Sequence, residues 1–233
     1  ISAEAPPSPW GIPGLAQPGH SQPWTSFSAG CPAIHPRCRW GAAPYRGSPR
    51  SLQLPLGFLY VHHTYIPAPP CTDFAHCAAD MRSMQHFHQD TRGWDDIGYS
   101  FVIGSDGYVY EGRGWHWVGA HTLGHNSRGF GVAFVGNYTA ELPTEAALRT
   151  VQDVLPGCAV RAGFLRPDYT LLGHRQLVRT DCPGDALFNL LRTWPPRSPL
   201  QSIDSGNLGP DFSRSTCNSP CPLSCSCTIS AQP

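Results

Sequence analysis

An uninterrupted apolar run at 56–61, Leu-Gly-Phe-Leu-Tyr-Val, ends in His62 and His63 and reads as a β-strand. Downstream, Phe74, Ala78, Met81, Met84 and Phe87 recur at helical spacing. They predict a helix over 72–89, with Thr72 or Asp73 as its cap. Segments 99–103 and 108–111 read as strands joined through the turn residues Ser105-Asp106-Gly107, and 131–135 as a short apolar strand. A second amphipathic helix is predicted over 144–161, with Thr144 as N-cap, and a third over 185–194. Strands interspersed with helices indicate an α/β domain whose central mixed sheet is flanked by about three helices.

Outside this patterned region the chain changes character. Residues 1–30 are dense in Pro, Gly, Ser and Gln and are expected to be flexible, and 196–233 repeats that composition after the helix-stopping pair Pro195-Pro196. The expected organisation is therefore 1–30 flexible, 31–195 folded and 196–233 a disordered Cys/Pro/Ser-rich tail. Cys217, Cys221, Cys225 and Cys227 in that tail match no zinc spacing and read as reactive or paired thiols.

A formal net charge of zero with 14% charged residues argues against nucleic acid as a partner. No apolar run is long enough to span a bilayer. The chain begins at Ile1 without a signal sequence, so any export signal is expected upstream of a processed or truncated product. Ten cysteines favour an oxidising compartment, and Asn137-Tyr138-Thr139 is a glycosylation sequon, both fitting a secreted protein.

Three residues carry candidate chemistry. His62, His174 (in Gly-His-Arg) and Cys182 (in Asp-Cys-Pro) offer two imidazoles and a thiolate. That set suits Zn²⁺, and three protein ligands leave the fourth position of a catalytic site for water. The chain's 11 His and 10 Cys allow many other trios, with core or surface histidines as the alternative. Consecutive strand residues face opposite ways, so His62 and His63 should not share one ion.

Around the trio, motifs follow in order: His62-His63-Thr64, Ile97-Gly98-Tyr99, Gly112-Arg113-Gly114-Trp115, Gly119-Ala120-His121, Gly173-His174-Arg175 and Cys182-Pro183-Gly184. In this order and spacing the chain resembles the peptidoglycan recognition protein family, which is similar to the zinc amidases of bacteriophage lysis. The likeness spans about 31–194 and leaves the tail unaddressed. It implies a secreted zinc hydrolase of innate immunity, an N-acetylmuramoyl-L-alanine amidase cutting the lactyl amide between muramic acid and L-Ala of peptidoglycan. The alternative is a peptidoglycan-binding receptor without turnover, and members of that kind lack one or more metal ligands. A third reading is a disulfide-stabilised scaffold in which the trio never meets.

The resemblance also implies roles for single residues. His62, His174 and Cys182 would hold zinc, and Tyr99 would contact the water or the developing oxyanion. Thr180, the second catalytic candidate, stands where phage amidases have lysine. His63, His88, Arg92, Gly93, Trp94, Arg113, His121 and Asn126 would contact substrate. The Gly93-Trp94 pair and Arg113 point to stem peptides with meso-diaminopimelate, whose extra carboxylate a guanidinium fork can bind through two N–H groups. Cys71–Cys77 and Cys31–Cys158 are the implied disulfides, and Cys38 has no obvious partner.

Overall fold

The computed structural model describes residues 31–194. The segments 1–30 and 196–233, with the four tail cysteines, lie outside the described residues. Six strands form one sheet: β1 (Ile34–His35), β2 (Leu56–His63), β3 (Phe101–Ile103), β4 (Val109–Glu111), β5 (Gly129–Phe134) and β6 (Leu165–Gly173). Their order is β1-β4-β3-β5-β2-β6, with every neighbouring pair parallel except the β3–β4 hairpin. This is the mixed sheet expected.

Parallel strands need cover on both faces, and period-two alternation divides the side chains between two cores. Leu59, Val61, Phe101, Ile103, Phe130, Val132 and Phe134 pack on one face with Leu155, Ala159 and Leu187 from α4 (Leu155–Arg161) and α5 (Asp185–Leu191). Val102 and Tyr110 pack on the other with Trp40 of α1 (Arg37–Trp40) and Met81 of α2 (Phe74–His86).

The helices differ from their predicted bounds for identifiable reasons. Asp73, not Thr72, caps α2 by accepting from His76 N at 2.9 Å, and the helix ends in a π turn, Phe87–Thr91. The predicted helix 144–161 is helical throughout and Thr144 caps it, but α3 (Glu145–Arg149) passes through a π turn, Thr150–Val154, into α4. Pro156 has no N–H to donate within that segment, so the ladder is rearranged just ahead of it.

Two strands carry no sequence expectation. The two-residue β1 is too short to show periodicity. Edge strand β6 is interrupted by exposed Arg166, Pro167 and Asp168, where its pairing with β2 shifts register. Proline is tolerated there because an edge strand has one side unpaired.

Disulfides join Cys31 to Cys158 and Cys71 to Cys77, and Cys38 is also disulfide-bonded. No helix among the described residues is long and apolar enough to cross a membrane.

Candidate metal centre and adjoining groove

Register brings the distant donors together. Val61 of β2 pairs with Gly173 of β6, so His62 and His174 stand side by side at the carboxyl ends of adjacent parallel strands. Crevices at such strand ends are where open α/β sheets hold ligands. The two rings lie 4.4 Å apart between centroids. The loop after β6 returns Cys182 to the same point, its Sγ 3.6 Å from His62 Nδ1. One donor atom from each of His62, His174 and Cys182 fits within 4.8 Å of the others.

Several contacts fix that loop. Arg175 N donates to Cys182 O at 3.0 Å, and the Arg175 guanidinium bonds Asp185 and the carbonyl of Asp181. Thr180 Oγ1 accepts from Cys182 N at 3.2 Å. Gly184 has φ +92°, and a Cβ there would fall 2.3 Å from Tyr138 O, so glycine is required where the loop turns into α5.

The chemistry of the set fits a divalent metal. Burial holds both imidazoles below their ordinary pKa, His174 to about 4 and His62 well below 6.5, so both are neutral with a lone pair available. His174 Nδ1 is buried without a hydrogen-bond partner among the described residues. Cys182 is the one free cysteine among the described residues, and burial pushes its thiol up to about 12. A cation in contact with the sulfur would reverse that and hold a thiolate.

Tyr99 stands beside the trio, its ring 5.3 Å from that of His62. Burial, reinforced by Cys182, raises its pKa, so the phenol stays protonated and able to donate. His63 is turned to the opposite face of β2, where Nδ1 accepts from Tyr138 N at 3.2 Å.

A cleft of about 340 Å³ is lined by Tyr45, Gly93, Trp94, Arg113, Gly119 and Asn126, among others. Gly93 adopts φ +67° with open space around its Cα, and Arg92 is exposed over the ring of Phe87. His88 packs 4.7 Å from Trp94 and accepts from Gly98 N through Nδ1, and burial lowers its pKa to about 4. Asn126 Oδ1 accepts from the backbone N–H of His121 and Thr122, closing that loop.

Arg113 differs from the free fork envisaged for it. Nε donates to Ile97 O, Nη1 to Val118 O and Tyr45 Oη, and Nη2 to Asp96 O. Four of its five N–H groups are thus committed within the fold, leaving one to offer. Arg113 lies two residues beyond β4, buried yet lining the cleft, which a loop motif cannot reveal.

His121 occupies a slot between two glycines. A Cβ on Gly119 would come 2.3 Å from its Cδ2, and one on Gly131 would come 2.3 Å from its Cγ. Burial lowers its pKa to about 3. Thr122, which no motif singles out, hydrogen-bonds both His121 Nδ1 (3.0 Å) and His62 Nε2 (3.3 Å).

Residues 53–185, which include the trio and Tyr99, match the family model described as N-acetylmuramoyl-L-alanine amidase. The chain belongs to this amidase family. It is 86% identical over 172 residues to a human protein named N-acetylmuramoyl-L-alanine amidase, covering 74% of this chain and 30% of that relative. The chain therefore spans about 30% of that relative's length. It is 40% identical to peptidoglycan-recognition protein SA of Drosophila melanogaster, with 72% of this chain and 80% of that one aligned. Among solved structures it resembles peptidoglycan recognition protein-LE in complex with tracheal cytotoxin, a monomeric diaminopimelic acid-type peptidoglycan. That likeness has a TM-score of 0.68 at 40% identity and covers 72% of this chain and 97% of that chain.

Proposed function

We propose that this domain is a zinc-dependent N-acetylmuramoyl-L-alanine amidase that hydrolyses the lactyl amide between N-acetylmuramic acid and L-Ala of bacterial peptidoglycan. The observation that carries it is the convergence of His62, His174 and Cys182 at one strand-end crevice, with Tyr99 beside them. A receptor needs the groove but has no use for a complete donor set.

His62, His174 and Cys182 would hold Zn²⁺, which supplies Lewis acidity to polarise the scissile carbonyl and activate water. The remaining chemistry belongs to the protein. Tyr99 stays protonated and donates its O–H to the oxygen on which negative charge develops. Neutral His62 and His174 keep their lone pairs for the metal instead of competing for protons. Thr180 and Arg175 act through Cys182, fixing the loop that carries the sulfur.

The groove accounts for substrate choice. Trp94, backed by His88, forms its aromatic wall, Gly93 leaves room for backbone approach, and Asn126 lines it while holding the backbone of His121. Arg113 contributes a buried positive charge and one N–H to a stem-peptide carboxylate, favouring meso-diaminopimelate. His63 is the weakest of the proposed contacts, its Nδ1 being occupied by Tyr138. The disulfides and the exposed sequon threonine Thr139 support an extracellular setting with glycan on Asn137, where removal of muropeptides would serve innate immunity.

The test is mass spectrometry of a muramyl tripeptide containing meso-diaminopimelate after incubation with the full chain. Release of intact tripeptide and free N-acetylmuramic acid is expected. Binding without any product would leave a receptor, and cleavage within the stem would contradict the assigned bond.

A further inference from the structure

Thr122 lies in the loop between β4 and β5, fully buried, and its one hydroxyl faces two imidazoles. A hydroxyl has a single proton to give, so the partners cannot both be acceptors. His62 presents Nδ1 to Cys182 Sγ. If that nitrogen is to offer a lone pair to a metal, the ring proton must sit on Nε2, where it donates to Thr122 Oγ1. The threonine proton then goes to His121 Nδ1. His121 in turn must carry its own proton on Nε2, a buried atom with no hydrogen-bond partner among the described residues. That atom lies against Gly119, whose Cβ would come 2.6 Å from it, and Gly119 lines the groove.

Run in reverse, the same chain has His121 Nδ1–H donating to Thr122 and Thr122 donating to His62 Nε2. His62 then carries its proton on Nδ1, facing the sulfur, and cannot ligate through that atom. One hydroxyl thus separates a metal-competent arrangement from an incompetent one.

We infer that Thr122 is a positioning residue that couples the two sites, fixing His62 as an Nδ1 ligand and His121 as an Nε2–H donor toward an acceptor oxygen of a ligand in the groove. This rests on the reading of His62, His174 and Cys182 as a metal site. Metal loading sets the proton on His62, Thr122 transmits the choice, and the groove receives a hydrogen-bond donor of defined polarity. Outer partners of metal-bound histidines act in this way, and losing one typically weakens metal binding about 10–100-fold.

The experiment measures zinc affinity by competition with a chromogenic chelator, and imidazole tautomers by ¹⁵N chemical shifts, in full-length wild-type, Thr122→Val and Thr122→Ser proteins. Zinc-loaded wild type should have both His62 and His121 protonated on Nε2. Thr122→Val should bind zinc about 10–100-fold more weakly and lose the single tautomer at His121, and Thr122→Ser should restore both. A zinc-loaded wild type with His121 protonated on Nδ1 overturns the inference even if Thr122→Val fails to fold. Unchanged zinc affinity and tautomers in a folded Thr122→Val protein overturn it while sparing the metal site. A wild type that binds no zinc removes the metal reading itself, and the inference with it.

Discussion

Replacing Gly131 by alanine tests whether His121 is wedged as tightly as the strand geometry implies. The new methyl would lie 2.3 Å from His121 Cγ, 2.4 Å from Cδ2 and 2.7 Å from Nδ1, far inside van der Waals contact. The ring has nowhere to go. Gly119 closes its other side, Thr122 holds Nδ1, and Asn126 holds the backbone. Nor can β5 slide, because Gly131 is in register with Tyr60 at the centre of the sheet. Overpacking of this kind costs about 1–3 kcal/mol. In a domain of this size each kcal/mol moves Tm by about 2–4 °C, so a fall of about 2–12 °C is expected. Gly57→Ala is the control: its nearest neighbour is 3.8 Å away, in the flexible Arg166 side chain. That change should leave Tm level or raise it slightly, by about 0.4–1 kcal/mol of stability. Differential scanning fluorimetry reads both. Equal melting of Gly131→Ala and wild type would refute the wedge.

Removing Cys31–Cys158, which spans 127 residues, should cost about 5 kcal/mol in urea unfolding, against about 2–3 kcal/mol for Cys71–Cys77 with a separation of 6; equal losses would contradict the chain-entropy account. His88 is buried neutral with a pKa of about 4 against an ordinary 6.5. The unfolded chain therefore takes up this proton first, so stability is full above pH 6.5 and declines toward pH 4. This group contributes about 3 kcal/mol of that decline. His88→Gln should flatten the pH dependence of chelator-treated protein, and an unaltered slope would count against a buried neutral imidazole. Arg175→Ala should keep the sheet but loosen the Cys182 loop, lowering zinc affinity at least tenfold by the usual cost of losing outer-shell support; wild-type affinity would show that the clip is dispensable.

How much could be read in advance depended on how each element meets solvent. Strand β2 is covered on both faces, so its apolar run announces it and ends at the ligand His62. Strand β6 delivers His174 but sits at an edge, and exposed Arg166, Pro167 and Asp168 erase its period. The donor trio was recognisable by residue type and motif order, yet its convergence depends on the Val61–Gly173 register, which no local pattern encodes. Arg113 illustrates the opposite limit. Its chemistry was apparent, but its commitments to Ile97, Val118, Tyr45 and Asp96 come from three separate stretches of chain. Thr122 is an ordinary threonine in sequence, distinguished only by the two imidazoles that the fold brings to its hydroxyl.

The most direct test of the central claim compares wild type, chelator-treated wild type and Cys182→Ser for zinc content, binding and turnover of the same meso-diaminopimelate muramyl tripeptide. One zinc per wild-type chain is predicted, with turnover lost in both altered samples while groove binding persists. Undiminished turnover by zinc-free protein or by Cys182→Ser would contradict the assignment of His62, His174 and Cys182 as the catalytic metal site.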